Sequence, residues 1–215
     1  AMMQERQQLN PNKPEEMKDR KAGLKPLSPQ QIDNSGVGLI IDKTGKTLNI
    51  AKQSNISSFA EYTIYVPEKV SITYNDVFPE IQSNISFKAH KGEIVITSIN
   101  SNLSFENVSG PIVANNTNGN VEIVFENIAP NKPNSISAVN GFVDITLDAK
   151  VKADVKLNTI NGEAYTDFNI DVKSSKPMAA MPAPMDMVNI EGSINGGGQL
   201  ITVSSVMGDI YLRKK

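Results

Sequence analysis

The sequence predicts an all-β protein: a single-stranded, right-handed β-helix (β-solenoid) with coils of roughly 20 residues. Three observations carry that prediction. A five-letter unit recurs, as "NTNGN" ending at Asn120, "AVNGF" ending at Phe142, "TINGE" at Thr159–Glu163, "SINGG" ending at Gly197 and "SVMGD" ending at Asp209. Around these units apolar residues alternate with polar ones, the period of a strand with one buried face. Asn, Val and Ile are over-used and long Leu/Ala/Glu stretches are missing, a composition of strands and turns rather than helices.

The elements follow from aligning the chain on its glycines. Gly92 is followed by Ile94 and Ile96, Gly119 by Val121, Ile123 and Phe125, Gly141 by Val143, Ile145 and Leu147, and Gly208 by Ile210 and Leu212. Val155 and Leu157 alternate ahead of Thr159, as Ile201 and Val203 do ahead of Ser205. After Gly162 the inward positions fall to Ala164, Thr166 and Phe168, a looser match. Each unit therefore reads as a strand, a polar corner and a second strand. The predicted structural corners are Asn118, Gly119, Asn140, Gly141, Asn161, Gly162 and Gly208. There glycine accepts positive φ, and asparagine bonds to its counterpart on the next coil. By this logic Gly162 needs a conformation closed to residues with a Cβ, and Asn161 bonds to Asn140.

The same letters have a second reading. Asn-Gly between alternating strands is the strongest short hairpin signal, and a set of such hairpins makes an antiparallel β-sandwich. The near-constant spacing of Gly119, Gly141 and Gly162 favours the coil.

Residues 1–35, rich in Gln, Lys, Pro and Glu, read as a polar, flexible leader or linker. Residues 36–215 read as the solenoid domain. Its first segment, "GVGLIIDKTGKTLNI", reads as two strands around a tight turn at Lys43–Lys46, a first rung or a cap against unpaired edges. The charged "YLRKK" reads as a guard on the far edge. Residues 173–187, "KSSKPMAAMPAPMDM", break the register and read as an inserted loop. Met178, Met181, Met185 and Met187 there are thioethers of the kind that bind Cu(I). With no His or Cys beside them, they read as loop residues lying over apolar surface.

The S-x-N-G-x-φ-x-φ units (φ here an apolar residue), "YTIYVP" at Tyr62–Pro67 and the closing "SINGGGQLITVSSVMGDIYLRKK" resemble the bacterial putative-adhesin family of unknown function. That family is related to the head domains of auto-transporter-like adhesins. The resemblance covers Gly36 to Lys215 and implies a β-helix, a cell-envelope location (periplasmic or extracellular) and no established enzyme activity. The unit around Gly196 departs from the pattern. It carries extra glycines, and Glu191 falls at an apolar slot, so a bulged or widened coil is expected.

Chemistry is sparse. The formal net charge of −2 argues against nucleic acid, and no apolar run is long enough to span a bilayer. The absence of cysteine excludes disulfides and thiolate sites. The single histidine, His90 in "KAHKG", reads as an exposed loop residue. No catalytic, cofactor-binding or metal-binding residue is assigned. The candidate functional feature is a surface ladder of Glu122, Asp144 and Tyr165, each three residues after its glycine and outward-facing. The function these readings support is non-enzymatic, adhesin-like binding or structural presentation through a β-helix face. The alternative is a carbohydrate-active lyase or hydrolase on the same scaffold, which needs paired acids in a walled cleft. The partners implied are a glycan or another surface protein, with self-association by coil ends as a further mode.

Overall fold

The computed structural model describes residues 22–23, 33–53, 60–76, 82–130, 132–174 and 188–215. The expected loop methionines, and most of the expected leader, lie outside the described residues. The chain divides into two compact units, Ala1–Thr63 and Ile64–Lys215.

In the first unit, β1 (Leu39–Thr44) and β2 (Thr47–Lys52) pair antiparallel around Gly45, where φ is +61°. The hairpin expected from "DKTGKT" is there. It forms a two-stranded sheet of its own and is not a rung of the large sheet.

The second unit is all-β among its described residues. Its strands are β3 (Ile72–Asp76), β4 (Ser83–Lys88), β5 (Ile94–Val108), β6 (Ile112–Asn118), β7 (Val121–Phe125), β8 (Asn134–Asn140), β9 (Val143–Leu147), β10 (Ala153–Asn161), β11 (Ala164–Thr166), β12 (Ile170–Ser174), β13 (Val188–Ile194), β14 (Gln199–Met207) and β15 (Ile210–Lys214). They form one curled, open sheet with two rows of parallel ladders. The first row runs β3-β5-β6-β8-β14-β10 and the second β4-β5-β7-β9-β15-β11. The 15-residue β5 passes through the bend and belongs to both. The hairpin alternative is not what forms. β6 and β7 flank Gly119 without pairing to each other; β6 pairs with β5 and β8, β7 with β5 and β9.

Parallel register puts like upon like. In the first row Ile96, Ala114, Ile136, Val203 and Leu157 are successive partners. In the second, Phe105, Ile123, Ile145 and Leu212 follow one another. All are buried in one cluster that also holds Ile94, Val121, Phe125, Val143 and Leu147. Period-2 alternation and a shared register are sufficient causes of this core, because every second side chain of each strand meets its counterpart. Thr166, expected inward, is instead exposed.

The stacking order departs from the sequence order. β14 and β15, last in the chain, lie between β8/β9 and β10/β11. Of "YLRKK", Tyr211 and Leu212 are therefore paired on both sides, with β9 and β11, and do not form the far edge. "NGGGQ" is not a coil corner either. β13 pairs antiparallel with one edge of β10 and β14 pairs parallel with the other, so residues 195–198 carry the chain across β10. Asn195, at φ +51°, donates through Nδ2 to the carbonyls of Ala149 and Val151 at 3.1 and 2.7 Å. Asp154 accepts from Lys173 and Ser193 at 2.8 and 2.7 Å and from the Gly198 amide at 3.3 Å. Lys173 above all, with those other donors, brings its carboxyl down to about 2. Glu191 faces outward and pairs with Lys156 at 3.1 Å, which explains an acid in a slot expected to be apolar.

The corners follow two rules. Gly119 and Gly141 have φ of +110° and +119°, the region glycine alone enters freely. Gly208 and Gly162 lie outside that region, contrary to the expectation for Gly162, and are needed for another reason. A Cβ at Gly208 would strike the Gly141 carbonyl, and one at Gly162 the Gly208 carbonyl, with the carbonyl carbon 2.7 Å away in both cases. Gly92 belongs to a different corner, stacked between the Val70 carbonyl and Gly110. Asn140 donates to Asn118 Oδ1 at 2.7 Å, as the ladder predicts. The expected Asn161–Asn140 bond does not form, because the interposed Met207 is the partner of both.

One inward column is polar. Asp76, Ser98, Asn116, Ala138, Ser205 and Thr159 are successive partners, all buried. Asn116 clips the bend by donating to both the Ser101 and Gly119 carbonyls at 2.9 Å. Ser205 Oγ is buried with no hydrogen-bond partner among the described residues. Asn116→Ala is expected to cost about 1–3 kcal/mol, since a buried carbonyl and a part-buried one lose this donor. Ser205→Ala is expected to change stability by less than about 0.5 kcal/mol or to raise it, since it removes a hydroxyl that costs desolvation. Urea melts of the two variants check the contrast.

Candidate functional site: the outer face of the second row

The outward residues of the second row form columns as regular as the inward ones. Ser86, Ser104, Glu122, Asp144, Tyr211 and Tyr165 are successive register partners, about 4.8 Å from strand to strand. The structure thus makes Glu122 and Asp144 direct neighbours, as the spacing predicts. It places Tyr165 one strand further on than expected, with Tyr211 in between.

At the aromatic end, Tyr165 and Tyr211 stack with ring centroids 5.4 Å apart and planes 13° apart. Phe142 meets Tyr211 edge-on at 6.1 Å. Arg213 Nε donates to both carboxylate oxygens of Asp144, at 3.0 and 2.8 Å, and the guanidinium lies 5.0 Å from the Tyr211 ring centroid. This arginine offsets the repulsion of roughly 1 kcal/mol that two stacked carboxylates would feel in water. The Tyr211 hydroxyl donates to Asp209 at 3.0 Å, and that carboxylate holds the phenol in its protonated form, raising its pKa. Asp209 also accepts the Glu163 amide at 2.9 Å.

At the other end the floor is small and polar. A shallow depression of about 330 Å³ is lined by Asn84, Ser86, Asn102, Ser104, Asn120 and Glu122, with Ile85 and Leu103. Two bonds link its floor along the stack: Asn102 Nδ2 donates to Asn84 Oδ1 at 3.1 Å, and the backbone N–H of Asn120 donates to Asn102 Oδ1 at 3.0 Å. The Glu122 side chain makes no hydrogen bond or ion pair among the described residues. A larger crevice of about 540 Å³ lies at the turns after β7 and β9, between Glu126, Asp148, Lys150 and Lys152. Its charges are mixed, and the aromatic residue in its lining, Phe125, is buried in the core.

The crystal structure of a putative cell adhesion protein from Clostridium sporogenes ATCC 15579 is similar to this chain. The match covers 82% of this chain and 76% of that one, with 14% identity and a TM-score of 0.40. At that distance the likeness fixes neither fold nor ligand. No family model matches the chain, and no curated protein does.

The remaining candidates fall away from this face. His90 is buried rather than exposed, its Nε2 2.8 Å from the Val70 carbonyl oxygen. Among the described residues no group of three or more His, Cys, Asp or Glu is placed to hold a metal, and no helix is long and apolar enough to cross a membrane. Sequence reasoning passed over Tyr211, Phe142 and Arg213. Tyr211 stands three residues after Gly208, the slot that identified Glu122, so its signal was present.

Proposed function

We propose that Ile64–Lys215 is the β-solenoid of an adhesin-like, non-enzymatic protein of the cell envelope or cell surface, acting by binding or structural presentation through the outer face of its second strand row. The observation that carries this reading is the in-register column from Ser86 to Tyr165, which converts a repeat into a continuous strip of outward side chains. Like-on-like parallel registers in both rows support the solenoid. The motifs at Tyr62–Pro67 and Ser193–Lys215 support the adhesin-like assignment and, with it, a periplasmic or extracellular location.

A glycosidase sets two carboxyl groups on either side of a scissile bond. Here Glu122 and Asp144 stand in one column on one face, and Asp144 is engaged by Arg213. That arrangement favours holding a ligand over cleaving it. The test is a glycan array probed with the purified chain, followed by mass spectrometry of every glycan retained. Retention with unchanged mass is the expected result. Shortened products would replace this reading with the carbohydrate-active alternative.

A further inference from the structure

We propose that the strip is a binding site for a neutral, linear oligosaccharide, with one pyranose ring lying on Tyr165 and the following sugars running over Glu122 into the Asn/Ser-floored depression. This rests on the surface-binding function above and names its ligand class and site.

Tyr165 supplies the first reason. It stands on β11, which pairs with β15 and no other described strand. Tyr211 covers one side of its ring at 5.4 Å, yet the residue remains 50% exposed. A flat aromatic surface held by its neighbour, with a polar hydroxyl at its rim, suits a ligand that is itself flat, apolar on its C–H face and polar around its edge. A pyranose has that form. Because the stack already fixes the ring, little side-chain entropy is lost on binding.

Charge supplies the second reason. Glu122, Glu163 and Asp209 leave the strip acidic, while Arg213 is held by Asp144 and Lys214 Nζ by the Asp167 carbonyl. Phosphate or uronate polymers would meet repulsion, with neither Arg213 nor Lys214 free to offset it. The depression offers amides and hydroxyls from Asn84, Asn120, Ser86 and Ser104, groups that both donate and accept and so match sugar hydroxyls. The Glu122 carboxylate, unengaged among the described residues, accepts from two hydroxyls at once.

Length supplies the third. The column spans six strands, so the strip is about 24 Å long at strand spacing, room for several linked rings.

The chain contains no tryptophan and five tyrosines, two of which form the stack, so its intrinsic fluorescence comes from tyrosine and includes the emission of the stacked pair. The chain is titrated with cellohexaose, chitohexaose, maltohexaose and hexagalacturonate, alongside Tyr165→Ala, Tyr165→Phe, Glu122→Gln and a control, Thr97→Ala, on the outer face of the first row. Expected is a saturable change in emission, confirmed by calorimetry, with at least one neutral hexasaccharide. Tyr165→Ala should weaken it by at least about tenfold, whereas Tyr165→Phe should retain it. Glu122→Gln should weaken it by several-fold and decides the matter should Tyr165→Ala fail to fold. Thr97→Ala should bind like the parent. Binding of hexagalacturonate in preference to all three neutral sugars, or neutral-sugar binding indifferent to Tyr165→Ala and Glu122→Gln, would overturn the site while leaving a surface-binding function in place. No binding to any of the hexasaccharides, with none on the array, would sink both.

Discussion

Gly141→Val is expected to destabilise Ile64–Lys215 by about 3 kcal/mol or more. Two costs add. At φ +119° a β-branched residue is strained by roughly 1–3 kcal/mol. Its Cβ also has no room, since the Gly119 carbonyl occupies that position, with the carbonyl carbon 2.7 Å away. The neighbour is backbone held in the Asn140–Asn118 column, so relaxation must move a whole corner. Gly196→Val separates the two costs: Gly196 has φ +86° and nothing within 4 Å of a built Cβ, so it should lose only the strain component. Equilibrium urea melts of both variants check the difference. Equal losses would mean that the stacked corners yield easily and that close approach is not what the repeat protects.

A chain ending at Gly198 is expected to lose more. Without β14 and β15, β10 and β11 have no ladder partner toward β8 and β9. Ile201, Val203, Ile210 and Leu212, all buried, leave the core with them, at about 1.5–3 kcal/mol each. Amide exchange across Ala153–Asn161 should approach unprotected rates, whereas Ile94–Val108 should keep part of its protection. A synthetic peptide of residues 199–215 should restore protection to β10. Full protection of β10 in the shortened chain would contradict the stacking order.

How far this was legible from the sequence depends on the range of the interaction. The inward residues were legible because a strand's two faces alternate strictly, so Val121, Ile123, Val143 and Ile145 could be placed from their neighbours alone. Corner glycines were legible as glycines, but not the reason for each. Gly141 needs both a backbone angle and a gap, Gly162 only the gap, and both leave the same letter. Gly92 shares the local pattern and belongs to another corner, because local spacing does not say which carbonyl passes overhead. The outward slot three residues after glycine was also legible, and it holds Tyr211 as surely as Glu122. The stacking order was not. β14 pairs with β8 across a long stretch of chain, and the choice is made by Asp154, Asn195 and the core rather than by any local signal. His90 shows the same limit: lysines flank it, yet the Val70 carbonyl and Gly92 bury it.

The corner sequence also has a chemical lifetime. In an Asn-Gly pair the glycine nitrogen can attack the asparagine side-chain carbonyl, releasing ammonia and closing a cyclic imide that water opens to aspartate or its isomer. Glycine is the follower that hinders this least. In the folded chain the attacking nitrogens are occupied, Gly119 N by the Asn140 carbonyl at 3.0 Å and Gly141 N by that of Met207 at 3.3 Å. The Asn140 amide is itself pinned to Asn118 Oδ1 at 2.7 Å. Ageing at these sites is therefore confined to moments when a corner opens. Once it happens at Asn140, a donor becomes an acceptor facing another acceptor, the column repels itself, and the corner opens more readily. The protein's durability is set by how seldom its turns breathe, and damage at one turn hastens damage at the next.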